Sequence, residues 1–189
     1  MKMIEIGKKV ENFKAEAYYN DEIVDIELDD YRGKWVVLAF YPADFTFVCP
    51  TELEDFAKNY EDFQAENGEI LSASTDTAFV HKAWHDHSEA IGKVNYPMIA
   101  DPTGKISKQF GTYDESEGLA RRGTFIMNPD GELVHMEIHN NSIGRNVAEI
   151  LRRLRAAKYV SEHEGQVCPV NWEPGDETLE EELDLVGEI

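Results

Sequence analysis

The feature of this sequence that most restricts its fold is a pair of apolar strand patterns separated by an amphipathic helix. Residues 36–41 and 69–75 are short runs of residues that favour strands. Between them, apolar side chains recur every three or four residues, as on the buried face of one helix. This face consists of Leu53, Phe56, Ala57, Tyr60 and Phe63. Apolar strands joined through a helix are typical of parallel strands buried on both faces, so we predict a βαβ unit within an α/β fold.

Four further elements follow from the pattern along the rest of the chain. They are a helix over residues 77–91, a short edge strand over 96–100, a β-hairpin with arms at 123–127 and 132–138, and a helix that starts after Gly144 and ends near Tyr159. The edge position is predicted because Pro97 cannot donate a backbone hydrogen bond to a neighbouring strand. The hairpin is predicted because the segment between its arms, Asn128-Pro129-Asp130-Gly131, favours a tight turn.

The chain has the size of one globular domain with an appendage. Of its 189 residues 42% are hydrophobic, which is enough for one core. We predict a domain over residues 1–160, which includes an N-terminal extension, and a C-terminal arm over residues 161–189. The arm is acidic and contains Pro169 and Pro174, so we expect it to pack against a partner subunit instead of folding by itself. Its apolar patch consists of Leu179, Leu183, Leu185, Val186 and Ile189.

The net charge argues against several classes of function. Thirty-eight acidic and 18 basic residues give a net charge of −20, which repels DNA, RNA and anionic lipid. We therefore expect neither a nucleic-acid partner nor a membrane partner. The sequence has no signal-peptide pattern and no apolar stretch of about 18 residues, so we expect a cytoplasmic protein. The acidic excess either keeps an ordinary surface soluble or suits a high-salt cytoplasm, in which salt screens the repulsion.

The two cysteines of the chain have opposite settings. Cys49 lies between the first apolar strand and the helix that follows it, where unpaired backbone N–H groups and the helix dipole favour a thiolate. Cys168 lies in the polar C-terminal arm, where a thiol can move. The absence of a Cys-x-x-Cys pair excludes a zinc ribbon and a thioredoxin-type dithiol. One reactive and one mobile cysteine indicate a redox pair that closes after the first has reacted.

Several residues in the sequence support thiolate chemistry at Cys49. Pro50 suits the first position of the helix, where its missing N–H costs nothing. The Thr46 hydroxyl can donate a hydrogen bond to the sulfur or to an incoming oxygen. A guanidinium would stabilise the thiolate further, and the adjacent Arg121 and Arg122 precede the first hairpin arm, which makes them candidates.

Three histidines invite a metal interpretation, which the sequence does not support. Only His81 and His85 share a helical face, and His87 points elsewhere. No cysteine or carboxylate completes a convincing ligand set. We interpret the three as helix-surface residues and predict no metal.

The segment around Cys49 resembles the signature of the peroxiredoxin family. It has the form Pro42-x-x-x-Thr46-x-x-Cys49 and continues as Pro50-Thr51-Glu52-Leu53, while Val167-Cys168-Pro169 lies in the arm. These motifs are similar to those of the typical 2-Cys group, in the style of the bacterial alkyl hydroperoxide reductase C proteins. The resemblance runs over almost the whole chain. It implies a thioredoxin-like fold, with a central mixed sheet flanked by helices, and a thiol-dependent peroxidase that reduces hydrogen peroxide and alkyl hydroperoxides.

The resemblance also implies a role for each cysteine. Cys49 would be the peroxidatic cysteine, which attacks the O–O bond and becomes a sulfenic acid. Thr46 would hold the substrate oxygens, and Pro42 would shield the sulfenic acid from water. Cys168 would be the resolving cysteine and would act on Cys49 of the neighbouring subunit. No metal or organic cofactor is implied.

Three charged residues match the family pattern around the peroxidatic cysteine. Of the two adjacent arginines, Arg122 is the match, while Arg121 is interpreted as a solvated charge. Glu52 and Arg145 match a carboxylate and a second arginine that position the first. The resemblance implies that this group assists Cys49.

The same resemblance implies partners. A hydroperoxide would be the substrate, and a disulfide reductase such as a flavoprotein, thioredoxin or a small disulfide carrier would restore the thiols. The chain would form a homodimer, with a ring of five dimers as the family habit. A different class of function also stays open, because such assemblies can act as a holdase chaperone or a peroxide sensor.

Overall fold

The computed structural model describes residues 4–183 and residue 187. Within these residues it contains a seven-stranded mixed sheet with flanking helices and two small two-stranded sheets. The strands are β1 (Lys14–Tyr19), β2 (Glu22–Glu27), β3 (Trp35–Phe40), β4 (Gly68–Ser74), β5 (Met98–Ala100), β6 (Tyr113–Asp114), β7 (Leu119–Ala120), β8 (Arg122–Met127), β9 (Leu133–His139), β10 (Gln166–Val167) and β11 (Leu179–Glu180). The helices are α1 (Cys49–Lys58), α2 (Tyr60–Ala65), α3 (Ala78–His87), α4 (Lys105–Gln109) and α5 (Val147–Glu162). None of the helices in this part of the chain combines the length and the hydropathy that a bilayer crossing requires.

The predicted βαβ unit forms the centre of the sheet. The strand order is β2–β1–β5–β4–β3–β8–β9. Strands β3 and β4 run parallel, with Trp35 opposite Gly68 and Phe40 opposite Ala73. Every residue of β3 is buried, as expected for an apolar strand covered on both faces. The α/β fold with a central mixed sheet is therefore confirmed, and Cys49 comes after the carboxyl end of β3, which lies inside the sheet between β4 and β8.

The core holds the end of β3 in place. Phe40, the last residue of β3, packs edge-on against Phe125 with ring centroids 5.8 Å apart. Phe110 contacts both rings, with its centroid 5.3 Å from that of Phe40 and 4.9 Å from that of Phe125. Such edge-to-face aromatic pairs add to the energy of burial. The loop that leads to Cys49 therefore starts from a firmly packed point.

The single helix predicted between β3 and β4 is wrong, since two helices, α1 and α2, occupy this stretch. The break lies at Asn59, whose backbone leaves helical geometry. The Asn59 side chain donates to the Asp55 carbonyl at 2.8 Å. A side-chain amide that bonds locally to the backbone competes with helix continuation. The apolar face predicted from residue 53 to residue 63 is nevertheless continuous, because Phe56 and Phe63 contact each other across the break.

Helix α3 ends four residues earlier than predicted, at His87 instead of Ile91. Ser88 adopts an extended backbone, and its hydroxyl accepts a hydrogen bond from the Ile91 N–H at 3.3 Å. Serine is a favoured residue at such a position because it satisfies the first N–H groups of a following turn. The turn that follows is a short 3₁₀ helix, Ile91–Lys93.

The edge position predicted for residues 96–100 is wrong. Strand β5 lies inside the sheet, parallel to β4 on one side and antiparallel to β1 on the other. Pro97 stands just before the strand, so its missing N–H removes no bond from the ladder. The Pro97 carbonyl accepts from the Ser72 N–H at 3.0 Å. A proline therefore confines a strand to the edge of a sheet only when it lies within the hydrogen-bonded residues, and Pro97 lies just before them.

The N-terminal extension contains a hairpin that the sequence interpretation missed. Strands β1 and β2 pair in antiparallel register, and β1 adds to the sheet beside β5. The turn between them, Asn20 and Asp21, has φ of 51° and 63°. Asparagine and aspartate tolerate positive φ better than other residues with side chains and favour two-residue hairpin turns. The Asn20-Asp21 dipeptide was the feature of the sequence from which this hairpin could have been predicted.

The hairpin of β8 and β9 is confirmed. Asn128 holds the turn, because its side-chain oxygen accepts from the N–H groups of Asp130 at 3.1 Å and Glu132 at 2.8 Å. Gly131 has a φ of 77°, and a Cβ there would collide with Arg32. The turn therefore needs glycine at this position for two reasons.

The chain divides into two compact units, Met1–Val147 and Ala148–Ile189. All of α5 except Val147 falls in the second unit, together with the C-terminal arm. The boundary predicted from the sequence instead lies between residues 160 and 161, so that nearly all of α5 belongs to the first domain. This boundary stays a prediction. Within the arm, β10 pairs with β11, with Val167 opposite Leu179. Of the predicted apolar patch, Leu183 is exposed, and Leu185, Val186 and Ile189 lie outside the described residues.

Candidate active site

Cys49 is positioned by the loop of residues 41–48, which connects β3 to α1. Cys49 is the first residue of α1 and Pro50 the second, so the helix begins one residue earlier than predicted. The Cys49 side chain is fully buried. Its backbone N–H belongs to the first turn, where such groups have no partner within the helix. The sulfur therefore lies at the positive end of α1.

Arg122 brings a guanidinium to the Cys49 sulfur. It is the first residue of β8, the strand that pairs antiparallel with β3. Its Nη1 donates to Cys49 Sγ at 3.3 Å, and its Nε donates to the Asn141 carbonyl at 2.9 Å. Arg121 is half exposed and pairs with Asp114 at 3.0 Å instead. The structure thus places Arg122, and not Arg121, beside Cys49.

Glu52 and Arg145 complete a buried charged cluster with Arg122. Glu52 Oε2 accepts from Arg122 Nη1 at 2.7 Å and from Arg145 Nη1 at 2.7 Å. Glu52 Oε1 accepts from the Arg145 backbone N–H at 2.8 Å, and Arg145 Nε donates to Thr124 Oγ1 at 2.9 Å. Burial lowers the pKa of Arg145, and the Glu52 carboxylate opposes that change. The four predicted residues Cys49, Glu52, Arg122 and Arg145 therefore lie together.

The cluster brings two guanidinium groups to one shared carboxylate beside Cys49. Both guanidinium groups are almost completely buried, and the charge of Glu137 also acts on Arg145. Nearby positive charge and donated hydrogen bonds both favour the ionised form of an acid. The arrangement is therefore suited to a nucleophilic sulfur.

Thr46 and Pro42 lie in the 41–48 loop. Pro42 is buried at its start, and Thr46 is half-buried near its end. The Thr46 hydroxyl donates to the Ala43 carbonyl at 2.9 Å, rather than to the Cys49 sulfur as one predicted alternative had it. Its oxygen lone pairs stay able to accept from a substrate hydroxyl.

Cys168 belongs to the second compact unit. It is half-buried, and its Sγ lies 3.9 Å from the Ala156 carbonyl of α5. Burial raises the pKa of the Cys168 thiol, and the charge of Arg152 opposes the rise. Both cysteines are free thiols. Cys168 is therefore favoured as a protonated thiol at neutral pH.

The surface interpretation of the three predicted histidines is wrong for His81, which is completely buried. Within the described residues, one group has metal-ligand spacing, namely Asp21, His85 and Asp86, whose ligand atoms lie within 4.8 Å of one another. The ring nitrogens of His85 contact the Tyr18 hydroxyl and the Val94 carbonyl, each at 3.3 Å. These contacts occupy the atoms that a metal would need.

Two family models match the sequence. The first is described as the AhpC/TSA family and matches residues 6–136. The chain belongs to the AhpC/TSA family. The second model is described as the C-terminal domain of 1-Cys peroxiredoxin and matches residues 156–186, a stretch that includes Cys168.

Relatives of this AhpC/TSA chain match it over almost its whole length. Alkyl hydroperoxide reductase C of Bacillus subtilis is 50% identical over 184 residues, which are 97% of this chain and 98% of the relative. The protein of the same name from Pseudomonas aeruginosa is 47% identical with the same coverage. The predicted membership of the peroxiredoxins is confirmed.

Solved structures of the family share the fold. AhpC of Enterococcus faecalis has a TM-score of 0.85 and 46% identity and covers 88% of this chain and 100% of its own. The reduced 2-Cys peroxiredoxin of Plasmodium vivax has a TM-score of 0.88 and 34% identity and covers 92% and 91%. The predicted thioredoxin-like fold and the predicted class, a peroxidase among the oxidoreductases, are confirmed for this AhpC/TSA chain.

Sequence reasoning missed one polar group beside the site of this AhpC/TSA chain. Asp44, inside the 41–48 loop, forms a buried contact with His81 of α3, with its Oδ2 2.7 Å from His81 Nδ1. The two residues are separated by 37 positions in the sequence, and no local pattern joins them. The one feature of the sequence that could have indicated a role for Asp44 was its position between Pro42 and Thr46.

Proposed function

We propose that this chain is a thiol-dependent peroxidase that reduces hydrogen peroxide and alkyl hydroperoxides at Cys49. The observation that carries the proposal is the 3.3 Å contact from Arg122 to the Cys49 sulfur, inside a buried cluster that holds two guanidinium groups. The relatives named alkyl hydroperoxide reductase C support the same substrate class.

In the proposed first step, the Cys49 thiolate attacks one oxygen of the peroxide. An S–O bond forms and the O–O bond breaks, and the second oxygen leaves with the electron pair and takes up a proton as water or an alcohol. Cys49 becomes a sulfenic acid. Negative charge spreads from the sulfur over two oxygens in the transition state. Donors from Arg122 and the Cys49 backbone N–H, with Thr46 holding the substrate oxygens, therefore stabilise the transition state more than the ground state.

The remaining residues of the site have supporting roles in this proposal. Glu52 accepts hydrogen bonds from both Arg122 and Arg145, so it fixes the direction of the Arg122 guanidinium. Arg145 in turn holds Glu52 through its backbone N–H and its side chain. Pro42 is buried at the start of the loop and offers no N–H to water, which suits a residue that shields the sulfenic acid.

In the proposed second step, the Cys168 thiol attacks the sulfenic sulfur. A disulfide forms and the hydroxyl leaves as water. A disulfide needs Cα atoms about 4.4–6.8 Å apart. Cys49 is fully buried in the first turn of α1, so that turn must open before any second thiol reaches it. We place Cys168 on the neighbouring subunit of a homodimer, carried by the arm of residues 161–189.

Exposed apolar side chains support the proposed homo-oligomer. Strand β9 forms one edge of the seven-stranded sheet, and Met136 and Ile138 lie exposed on it. Edge strands with apolar side chains tend to pair with another copy, which fits a two-fold dimer. Phe45, Phe47 and Phe79 are a second set of exposed aromatic residues and suit contacts between dimers in a ring of five.

A reductase must restore the thiols after each turnover. The electrons come from a flavoprotein, thioredoxin or a small disulfide carrier, and the oxidised arm offers the disulfide to it. Reducing compartments supply such partners, so we place the protein in the cytoplasm. The net charge of −20 argues against binding to nucleic acid or to anionic membrane.

Counting thiols after one equivalent of hydrogen peroxide tests the proposed function. The chain has two cysteines, and wild type is expected to lose both thiols in each protomer. Cys168→Ser is expected to lose its single thiol to a sulfenic acid, and Cys49→Ser to keep its thiol. Peroxide consumption by Cys49→Ser at the wild-type rate would contradict the proposal.

A second candidate, a holdase chaperone or peroxide sensor, rests on exposed aromatic surface. Phe47 is 93% exposed and Phe79 is 71% exposed, and such surface can bind unfolded chains. Suppression of client aggregation by Cys49→Ser separates the two activities, because holding needs no peroxide chemistry. Failure of both wild type and Cys49→Ser to suppress aggregation would reject the holdase.

A further inference from the structure

The 41–48 loop is tied to the rest of the fold through Asp44. The side chain of Asp44 is almost completely buried. Its Oδ1 accepts from the Tyr41 hydroxyl at 2.7 Å, and its Oδ2 faces His81 Nδ1 at 2.7 Å. The Asp44 backbone N–H donates to Asp76 Oδ2 at 2.8 Å. Asp44 thus connects the loop to α3 and to the segment that follows β4, while its bond to Tyr41 lies within the loop itself.

His81 is held on both sides of its ring. Its Nε2 lies 3.0 Å from the Ile99 carbonyl, which can only accept, so Nε2 carries a hydrogen and donates it. One further proton must lie between Nδ1 and the Asp44 carboxylate, because two acceptors at 2.7 Å would repel each other. Wherever that proton sits, the pair has no net charge. Every polar atom of the pair is satisfied, as burial requires.

The loop needs such an anchor because its backbone is strained. Phe45 follows Asp44 and has a φ of 54°, in the left-handed region that bulky side chains rarely adopt. Backbone of this kind persists only where the surroundings hold it. The residues that follow are Thr46 and, at the start of α1, Cys49. The position of both therefore depends on how firmly Asp44 is held.

We propose that Asp44 and His81 are positioning residues for the peroxidatic reaction, which hold the 41–48 loop so that Thr46 and the Cys49 thiolate face the substrate. The inference rests on the proposed role of Cys49. Neither side chain touches the sulfur or the substrate. Both act through the loop, and Tyr41 supports them by its hydrogen bond to Asp44.

The test compares Asp44→Ala with a matched variant, Asp101→Ala. Asp101 is also a buried carboxylate and accepts from the Ile106 and Ser107 N–H groups and the Ser107 hydroxyl, but it has no bond to the loop. The measurements are the rate of the first turnover with hydrogen peroxide and the ultraviolet absorbance of the thiolate at neutral pH. Asp44→Ala is expected to react at least about tenfold more slowly, with a smaller thiolate signal, because small misplacements at a reacting centre cost about this much. Asp101→Ala is expected to stay within about twofold of wild type, because none of the hydrogen bonds of the Asp101 side chain reaches the loop or His81.

Asp44→Asn provides the rescue. Its amide oxygen can accept from Tyr41, and its amide nitrogen can donate to His81 Nδ1 while Nε2–H still donates to Ile99. Asp44→Asn is therefore expected to react at a rate close to that of wild type, because the hydrogen bonds are kept. Should Asp44→Ala fail to fold, Tyr41→Phe replaces it, with an expected loss of about threefold for one hydrogen bond.

Three results would overturn the inference. They are a folded Asp44→Ala that reacts at the wild-type rate, an Asp101→Ala that is slowed as much as Asp44→Ala, and an Asp44→Asn that is no faster than Asp44→Ala. If Tyr41→Phe is used instead, an unchanged rate overturns it. Failure of wild type itself to react with peroxide would instead reject the proposed function of Cys49.

Discussion

The two cysteines of this chain lie in environments that differ in burial, charge and attachment. Cys49 is fully buried, sits in the first turn of α1 and accepts a hydrogen bond from Arg122 at 3.3 Å. Cys168 is half-buried beside α5, and its nearest polar contact is the Ala156 carbonyl at 3.9 Å. Arg152 contributes positive charge there, but burial outweighs it and raises the pKa of the Cys168 thiol.

This difference shows how one chain can keep two thiols apart in reactivity. Cys49 lies beside the Arg122 guanidinium, inside a buried charged cluster. Burial without a strong hydrogen bond favours the neutral thiol at Cys168. In the proposed mechanism the first cysteine therefore reacts with peroxide, and the second reacts only with the oxidised first cysteine.

The largest expected effect separates the two cysteines themselves. Cys49→Ser removes the nucleophile and is expected to slow peroxide reduction by at least about a thousandfold. Cys168→Ser keeps the first step and loses only turnover, because no disulfide forms for a reductase to act on. Stopped-flow measurement of the first turnover and steady-state assay of the cycle distinguish these outcomes. An equally slow first turnover in both variants would show that the two cysteines do not differ in their roles.

The next effect compares the arginine beside each cysteine. Arg122→Ala removes a buried donor to the sulfur and is expected to slow the peroxide step by about 10²–10³-fold. Arg152→Ala is the matched change beside Cys168 and is expected to leave that step within about twofold. The rate of the first turnover is the measurement. A slow peroxide step in Arg152→Ala would show that the two sites are not independent.

A smaller effect concerns stability, and it compares a buried with a surface carboxylate. Glu52→Gln leaves the guanidinium groups of Arg122 and Arg145 without their shared anion, and removing one partner of a buried pair costs about 3–5 kcal/mol. Glu149→Gln on α5 breaks a partly exposed contact, which water screens, and is expected to cost less than Glu52→Gln. The free energy of unfolding in urea measures both. Similar losses in the two variants would contradict the burial argument.

The smallest effect is the pH dependence of that surface contact. Hydrogen bonds from Arg152 and Arg153 lower the pKa of Glu149 from 4.5 to about 2. Since the folded value lies below the unfolded one, the stabilisation is fully present above pH 4.5 and disappears as the pH falls towards 2. The difference in unfolding free energy between wild type and Glu149→Gln is therefore expected to shrink over that range. A difference that grows on acidification would contradict this expectation.

Local patterns in the sequence were sufficient for the centre of the fold and for the spacing around Cys49. The apolar runs of β3 and β4 and the helical face between them predicted the βαβ unit, because buried strands joined through a helix are typically parallel. The motif from Pro42 to Cys49, together with Arg122, located the charged site through its family resemblance. The βαβ unit and the motif from Pro42 to Cys49 are patterns of residues that are close together in the sequence.

Contacts between distant segments were not predictable in the same way. Strand β5 is an interior strand because β1 of the N-terminal hairpin pairs with it, with Ala17 opposite Ile99. The sequence around Pro97 does not indicate this partner, which lies some 80 residues earlier. The pairing of Asp44 with His81 joins a loop to a helix, and each residue alone resembles an ordinary surface group. Tertiary packing decides these features, and propensity does not.

The central claim is that Cys49 of one protomer reacts with peroxide and then pairs with Cys168 of its partner. The most direct measurement is non-reducing electrophoresis of co-expressed Cys49→Ser and Cys168→Ser after one equivalent of hydrogen peroxide. A covalent dimer is expected in this mixture and in wild type, and little in either variant alone. Wild type that loses both thiols and still migrates as a monomer would contradict the claim, because its disulfide would lie within one chain.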